Sequence, residues 1–306
     1  MGRGSVKFLH RCIKYLKIFM RFKSGLIIGL FGLALVILGG FYFTIGITAL
    51  TYFATLELFR MAEFTGIKPA TKTTLFSCSV IILSTYFEVN GLLDKDISNA
   101  ILPISSIAIC TWLLLQPKPG KISDIATSIF GLFYLGFLPS YWIRLRELDV
   151  VFKSSSYSDN GFSNIGNFSG FNITLVACLL IVASDIGSYF IGKKYGKRSL
   201  SLISPSKTIE GLVGGVCSSI FIGILFAYFF SWSNYFIIGV VFGIIVSVMA
   251  LIGDLIESMM KRDAKLKDSG NLLPGHGGML DRIDSYIFTP SLIYFSILIL
   301  DYFKVI

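Results

Sequence analysis

From residue 24 onward the chain alternates long apolar runs with short polar segments. Runs of about 20 apolar residues can cross about 30 Å of hydrocarbon as helices, and the pattern lacks the two-residue alternation of half-buried strands. Nine runs can be marked, near 24–40, 41–59, 73–91, 97–116, 123–143, 171–192, 209–231, 235–258 and 284–303. They predict an all-α, polytopic integral membrane protein of about nine spans. The first two form one nearly unbroken stretch, divided at Gly39-Gly40 on length alone. A single tilted helix there would lower the count.

Composition agrees with the pattern. The 306 residues are 54% hydrophobic and 15% charged, with a mean hydropathy of +0.75, whereas a soluble domain carries about a quarter charged residues. The net charge of +9 is explained by topology rather than by nucleic acid. With nine spans, 22 of the 27 Lys and Arg fall on one side, seven of them in residues 1–23. Cytoplasmic loops hold that excess, so the N-terminus is expected in the cytoplasm. Three regions follow: a basic interfacial segment 1–23, N-terminal spans with a far-side loop 24–170, and a C-terminal region 171–306. A cleavable signal peptide is the competing reading of the basic start, but no small-x-small site follows it. The Ser/Asn/Gly-rich loop near 144–170 suits a flexible connection. Cys12, Cys78, Cys110, Cys178 and Cys217 are dispersed without CxxC spacing, which suggests packing rather than disulfides or zinc.

Charges within the spans are where chemistry is expected, because a carboxylate in hydrocarbon needs a cavity or a partner. Asp185 lies eight residues before Lys193 and Asp254 seven before Lys261, so at 1.5 Å per residue each sits roughly 10–12 Å below the basic rim. On one helix Asp254, Ser258, Lys261 and Lys265 would share a face, with Glu257 beside them. A structural ion pair between helices is the competing reading of Asp254. Glu57 and Glu88, near the ends of their spans, read as interfacial.

Two polar segments join these acids on the same side. "GKKYGKRSLSLISPSKTIEG" follows the sixth span, and "KRDAKLKDSGNLLPGHGGMLDRIDS" follows the eighth. Both combine fixed cations with Gly, Ser and Pro, so that backbone N–H and ammonium groups can approach phosphate oxygens. Asp281 and Asp284, three apart, can share a face. Carboxylates with few His or Cys neighbours favour Mg²⁺ over zinc. Such a site, recessed in a membrane, points to phosphoryl or nucleotidyl transfer on a lipid, catalysed by positioning and charge neutralisation. A lipid phosphate is already an anionic nucleophile, so no Ser-His pair is needed.

The stretch 258–284, "SMMKRDAKLKDSGNLLPGHGGMLDRID", resembles the signature of the phosphatidate cytidylyltransferases, the CDP-diacylglycerol synthases. "SDIGSYFIGKKYGK" at 184–197 and "SPSKTIEG" at 204–211 are similar to two further segments of that family, with Ser206 replacing a usual Lys and Ile209 a usual aromatic. Detailed resemblance covers the C-terminal 40% or so of the chain.

The resemblance implies transfer of a cytidylyl group from CTP to phosphatidate with Mg²⁺, and with a monovalent cation such as K⁺, in the cell (inner) membrane with the site facing the cytoplasm. It makes Asp254 and Asp281 the metal carboxylates, with Asp185, Asp268 and Asp284 as supports or further metal contacts. Lys261 and Lys267 join these acids in the catalytic set. Ser204, Lys207, Thr208, Arg262, His276, Gly277, Gly278 and Arg282 would bind phosphates, although His276 could equally brace its loop. A CTP-dependent polyprenol kinase is the alternative, and a transporter the non-enzyme one; the latter's paired broken helices are not visible. The GxxxG at Gly211–Gly215 serves either a neighbouring span or a second subunit in a homodimer.

Overall fold

In the computed structural model, residues 29–148, 169–201, 203–270, 272 and 277–303 are described. The basic segment 1–23, most of the 144–170 loop and His276 lie outside them. The described residues form nine helices: α1 Gly29–Leu38, α2 Gly40–Phe64, α3 Thr71–Val89, α4 Lys95–Leu114, α5 Ile122–Arg146, α6 Gly170–Tyr195, α7 Ile209–Phe229, α8 Tyr235–Asp263 and α9 Leu280–Tyr302. Seven are long and apolar enough to cross a membrane. The other two are α1, with ten residues, and α3, whose 19 residues carry Lys72, Glu88 and a series of Ser and Thr. The chain is an all-α, multi-pass membrane protein.

Each expected run has its helix, and the differences lie at the ends. The division at Gly39-Gly40 is real. Gly39 has φ +62°, and a Cβ there would stand 2.5 Å from the Arg146 guanidinium, so a side chain would be both strained and blocked. At the other end of the chain, α8 continues past the apolar run to Asp263, carrying Lys261 and Arg262 in its last turn, where cations complement the helix dipole. α9 begins at Leu280 rather than 284 and is interrupted at Phe288, just before Pro290. α5 contains a π-helical turn at Leu132–Phe137.

Packing follows membrane logic, with large apolar side chains facing outward and small or polar ones facing neighbours. Phe76, Phe221, Tyr228 and Phe229 are exposed, whereas Thr44, Thr55, Ser219 and Ser247 are buried. Several buried hydroxyls are satisfied locally or across helices: Thr55 donates to the Thr51 carbonyl at 2.7 Å, and Ser184 and Ser247 share a 2.8 Å bond. α7 is held between α6 and α8 at glycine contacts. A Cβ on Gly223 would lie 2.5 Å from the Gly239 carbonyl oxygen, and one on Gly239 2.5 Å from the Ile224 nitrogen. Gly211 and Gly215, the expected GxxxG, pack on Ser188 and Ser184 of α6 within the same chain.

Three apolar clusters stabilise the bundle. One gathers around α6, α8 and α9, and another joins α3, α4 and α5. The third, including Leu58, Tyr134, Ala264, Leu280 and Ile287, lies beneath the polar loop before α9 and links α2 and α5 to the ends of α8 and α9.

Candidate active site

The last turns of α8 bring two acids, a serine and a lysine into line. Asp254, Glu257, Ser258 and Lys261 fall on one side of the helix at spacings of three and four, as the helical period dictates. Lys265 does not join them. The helix ends at Asp263, and Lys265, at φ +56°, lies in the following turn.

α9 crosses α8 closely at this level. A Cβ on Gly253 would collide with the Asp284 carbonyl oxygen, so the glycine permits the approach. Asp254, Glu257 and Asp284 therefore each place a carboxylate oxygen within 4.8 Å of the others. Glu257 is 1% exposed, and its Oε1 has no hydrogen-bond partner. A buried carboxylate oxygen without a donor costs free energy unless something cationic reaches it. Three hard oxygen donors around such an atom fit a divalent cation of the Mg²⁺ type.

Two lysines neutralise the acids. Lys207 pairs with Asp254, and Ser258 Oγ donates to Asp254 Oδ1 at 3.4 Å. Lys261 Nζ lies 2.5 Å from Glu257 Oε2 and 2.8 Å from Asp281 Oδ1. Asp281 is thus joined to the triad through Lys261. Its Oδ2 accepts from Gly278 N at 2.7 Å and from Ser269 N and Oγ, both at 3.0 Å. Asp185 on α6 is accessible and interacts electrostatically with Asp254, Asp284 and Lys207.

The loop between α6 and α7 positions Lys207 by its own backbone. Leu200 N donates to the Lys207 carbonyl at 2.7 Å, Lys207 N to the Ser204 carbonyl at 3.1 Å, and Ser199 bridges Thr208. Thr208 caps α7, its hydroxyl accepting from Gly211 N at 3.1 Å. Ser204 and Thr208 therefore shape the loop that presents the ammonium group. Ser206 is exposed in the adjoining turn, and Ile209 is also exposed.

Gly277 and Gly278 are needed by this geometry. Gly277 has φ +82°, and a Cβ on it would lie 2.5 Å from Asp281 Oδ2. Arg262, Lys267, Asp268 and Arg282 are exposed. On the other side of α9, Arg282 borders an apolar cavity of about 390 Å³ lined by Phe43, Trp142, Leu175, Val182 and Tyr286. It is the one charged residue among the described residues lining that space.

Two acids read as interfacial have partners inside the protein. Glu57 is buried beneath the loop before α9 and accepts from Ser269 Oγ, Met279 N and Leu280 N at 2.8–3.0 Å. Glu88 is buried too, in a two-pronged ion pair with Arg144 at 2.7 and 2.8 Å. The usable signal in both cases was a lone acid in an apolar run, which marks a partner or a cavity. Glu257 was legible as a neighbour of the polar stripe but not as a member of the acidic triad.

The Cytidylyltransferase family model matches residues 19–300. A phosphatidate cytidylyltransferase of Synechocystis sp. is 42% identical over 275 residues, 87% of this chain and 92% of the relative. One from Bacillus subtilis is 31% identical over 279 residues, 90% of this chain and 96% of that protein. The chloroplastic phosphatidate cytidylyltransferase 5 of Arabidopsis thaliana is 36% identical over 288 residues, 90% of this chain and 70% of its own length. Likeness thus extends well beyond the C-terminal signature, and the chain belongs to the cytidylyltransferase family.

Proposed function

We propose that this membrane enzyme transfers the cytidylyl group of CTP to phosphatidate, giving CDP-diacylglycerol and pyrophosphate, as a step of phospholipid biosynthesis. The observation that carries the reading is the meeting of Asp254, Glu257 and Asp284 with Lys207 and Lys261 at one end of the bundle, in a chain whose relatives bear that activity in their names. A phosphatidate oxygen attacks the α-phosphorus of CTP in line. The bond from that phosphorus to the oxygen bridging to the β-phosphate breaks, and pyrophosphate leaves with that oxygen.

Mg²⁺, held by Asp254, Glu257 and Asp284 with Asp281 and Asp185 in support, would supply charge neutralisation of the triphosphate; K⁺ is a candidate second ion. Lys207 and Lys261, now paired with acids, are placed to turn to phosphate oxygens, Arg262 and Lys267 are exposed cations that join them in binding phosphate, and His276 is assigned to phosphate by the family resemblance alone. Asp281 anchors Lys261. Arg282 holds the lipid phosphate at the mouth of the apolar cavity, which takes acyl chain from the membrane side. No covalent intermediate on the protein is required. We place the site on the cytoplasmic face of the cell membrane, because the Lys and Arg excess lies on the same side as the two polar loops.

Purified protein with phosphatidate, Mg²⁺ and CTP radiolabelled at the α or the γ position tests this. Label from the α position is expected in lipid. Label from the γ position in lipid would instead identify a CTP-dependent lipid kinase.

A further inference from the structure

We propose that Glu57, on α2 and far from the signature in sequence, is a positioning residue for cytidylyl transfer: it sets Asp281 through Ser269 and the loop before α9. The inference rests on the transfer reading above.

Glu57 is 5% exposed, and both its oxygens are engaged. Oε1 accepts from Met279 N at 2.9 Å, and Oε2 from Leu280 N at 2.8 Å and Ser269 Oγ at 3.0 Å. Met279 N and Leu280 N lie at the start of α9, where a helix leaves its amides without an internal acceptor. A carboxylate suits this place because every partner is a donor, and bonds to an ionised acceptor are the stronger kind.

Ser269 carries the link to the site. Its hydroxyl stands 3.0 Å from Glu57 Oε2 and 3.0 Å from Asp281 Oδ2. It has one proton to donate and so serves one of the two at a time. The other donors to Asp281 Oδ2 are Ser269 N and Gly278 N, both from the segment that Glu57 holds. The loop also closes on Glu57 from two directions. A Cβ on Gly270 would lie 2.5 Å from Glu57 Oε1, and one on Gly278 would run into both Ser269 Oγ and Glu57 Oε2. Through Asp281, the same arrangement fixes Lys261 and thereby Glu257.

The test compares wild type, Glu57→Gln, Ser269→Ala and the double variant, purified in detergent. Gln keeps the shape but turns an NH₂ group toward one of the donors. In metal-free protein, hydrogen exchange at Met279 and Leu280 should accelerate at least about tenfold in Glu57→Gln, with the second half of α9 unchanged. In the assay, half-saturating Mg²⁺ should rise about tenfold in each single variant, the scale of one lost charged hydrogen bond. Half-saturating phosphatidate should not move, and the double variant should be no worse than the poorer single one. A purely structural cap would lower the active fraction and leave every half-saturation value as in wild type, and that result overturns the proposal, as does an additive double variant. If Glu57→Gln does not fold, Ser269→Ala decides by the same Mg²⁺ readout. A wild type that transfers no label sinks the transfer reading, whereas unchanged exchange in Glu57→Gln sinks the role of Glu57.

Discussion

Glu57, Glu88 and Glu257, three of the acids buried among the described residues, are answered by different kinds of partner, and the kind of partner separates scaffold from site. Glu88 has a full two-pronged guanidinium, and Glu57 has three donors from one loop. Glu257 has a lysine on one oxygen and nothing on the other. Replacing Glu257 by Gln should therefore raise half-saturating Mg²⁺ by about 10–100-fold, measured by initial rates across a metal titration, with little change in melting temperature. Asp281→Asn removes the anchor of Lys261 and should cut turnover by at least about 100-fold in protein that remains folded in detergent; near-native rates would refute its assignment. Asp254, Lys261, Asp281 and Asp284 were legible because helical period and a dense local motif keep them close along the chain. Glu57 was not, since its partners lie 212 to 223 residues away and only the packing of α2 against α9 brings them together.

At the scale of elements, run length located each helix, and in seven of them, among the described residues, that length is enough to cross hydrocarbon. Helix ends were harder to read, since α8 extends through charged residues that hydropathy assigns to a loop. The π-helical turn in α5 left no mark in the pattern either. The packing of α7 between α6 and α8 was half visible, as a GxxxG, whereas the Gly223–Gly239 contact joins glycines on separate helices. Gly223→Val should force these helices apart, at about 1–3 kcal/mol for overpacking, and lower the detergent melting temperature. Arg144→Ala should cost more, about 3–5 kcal/mol, because it strands Glu88 without its counter-charge. Restoring the melting temperature with Arg144→Leu combined with Glu88→Leu would show that the pair acts through stability.

For the whole molecule, the sidedness inferred from Lys and Arg has a physical counterpart in Glu57. It binds the loop between α8 and α9 from the end of α2, so these two places share one end of the bundle. In a cysteine-free background, single cysteines at Ser206 and Lys267 should react with an impermeant maleimide only in inverted vesicles. A cysteine at Ser233, between α7 and α8, should react only in right-side-out vesicles. The reverse pattern would overturn the cytoplasmic placement of the site.

The reach of α2 across to α9 also limits how far the gene can be dissected. A fragment from residue 169 onward would contain the acidic triad and both lysines, yet the loop before α9 and Asp281 would have lost its brace. Such a fragment should not restore growth to cells lacking the enzyme, while supplying residues 1–168 as a second polypeptide should. Motif searches would then credit the fragment with a competence that belongs only to the two halves together.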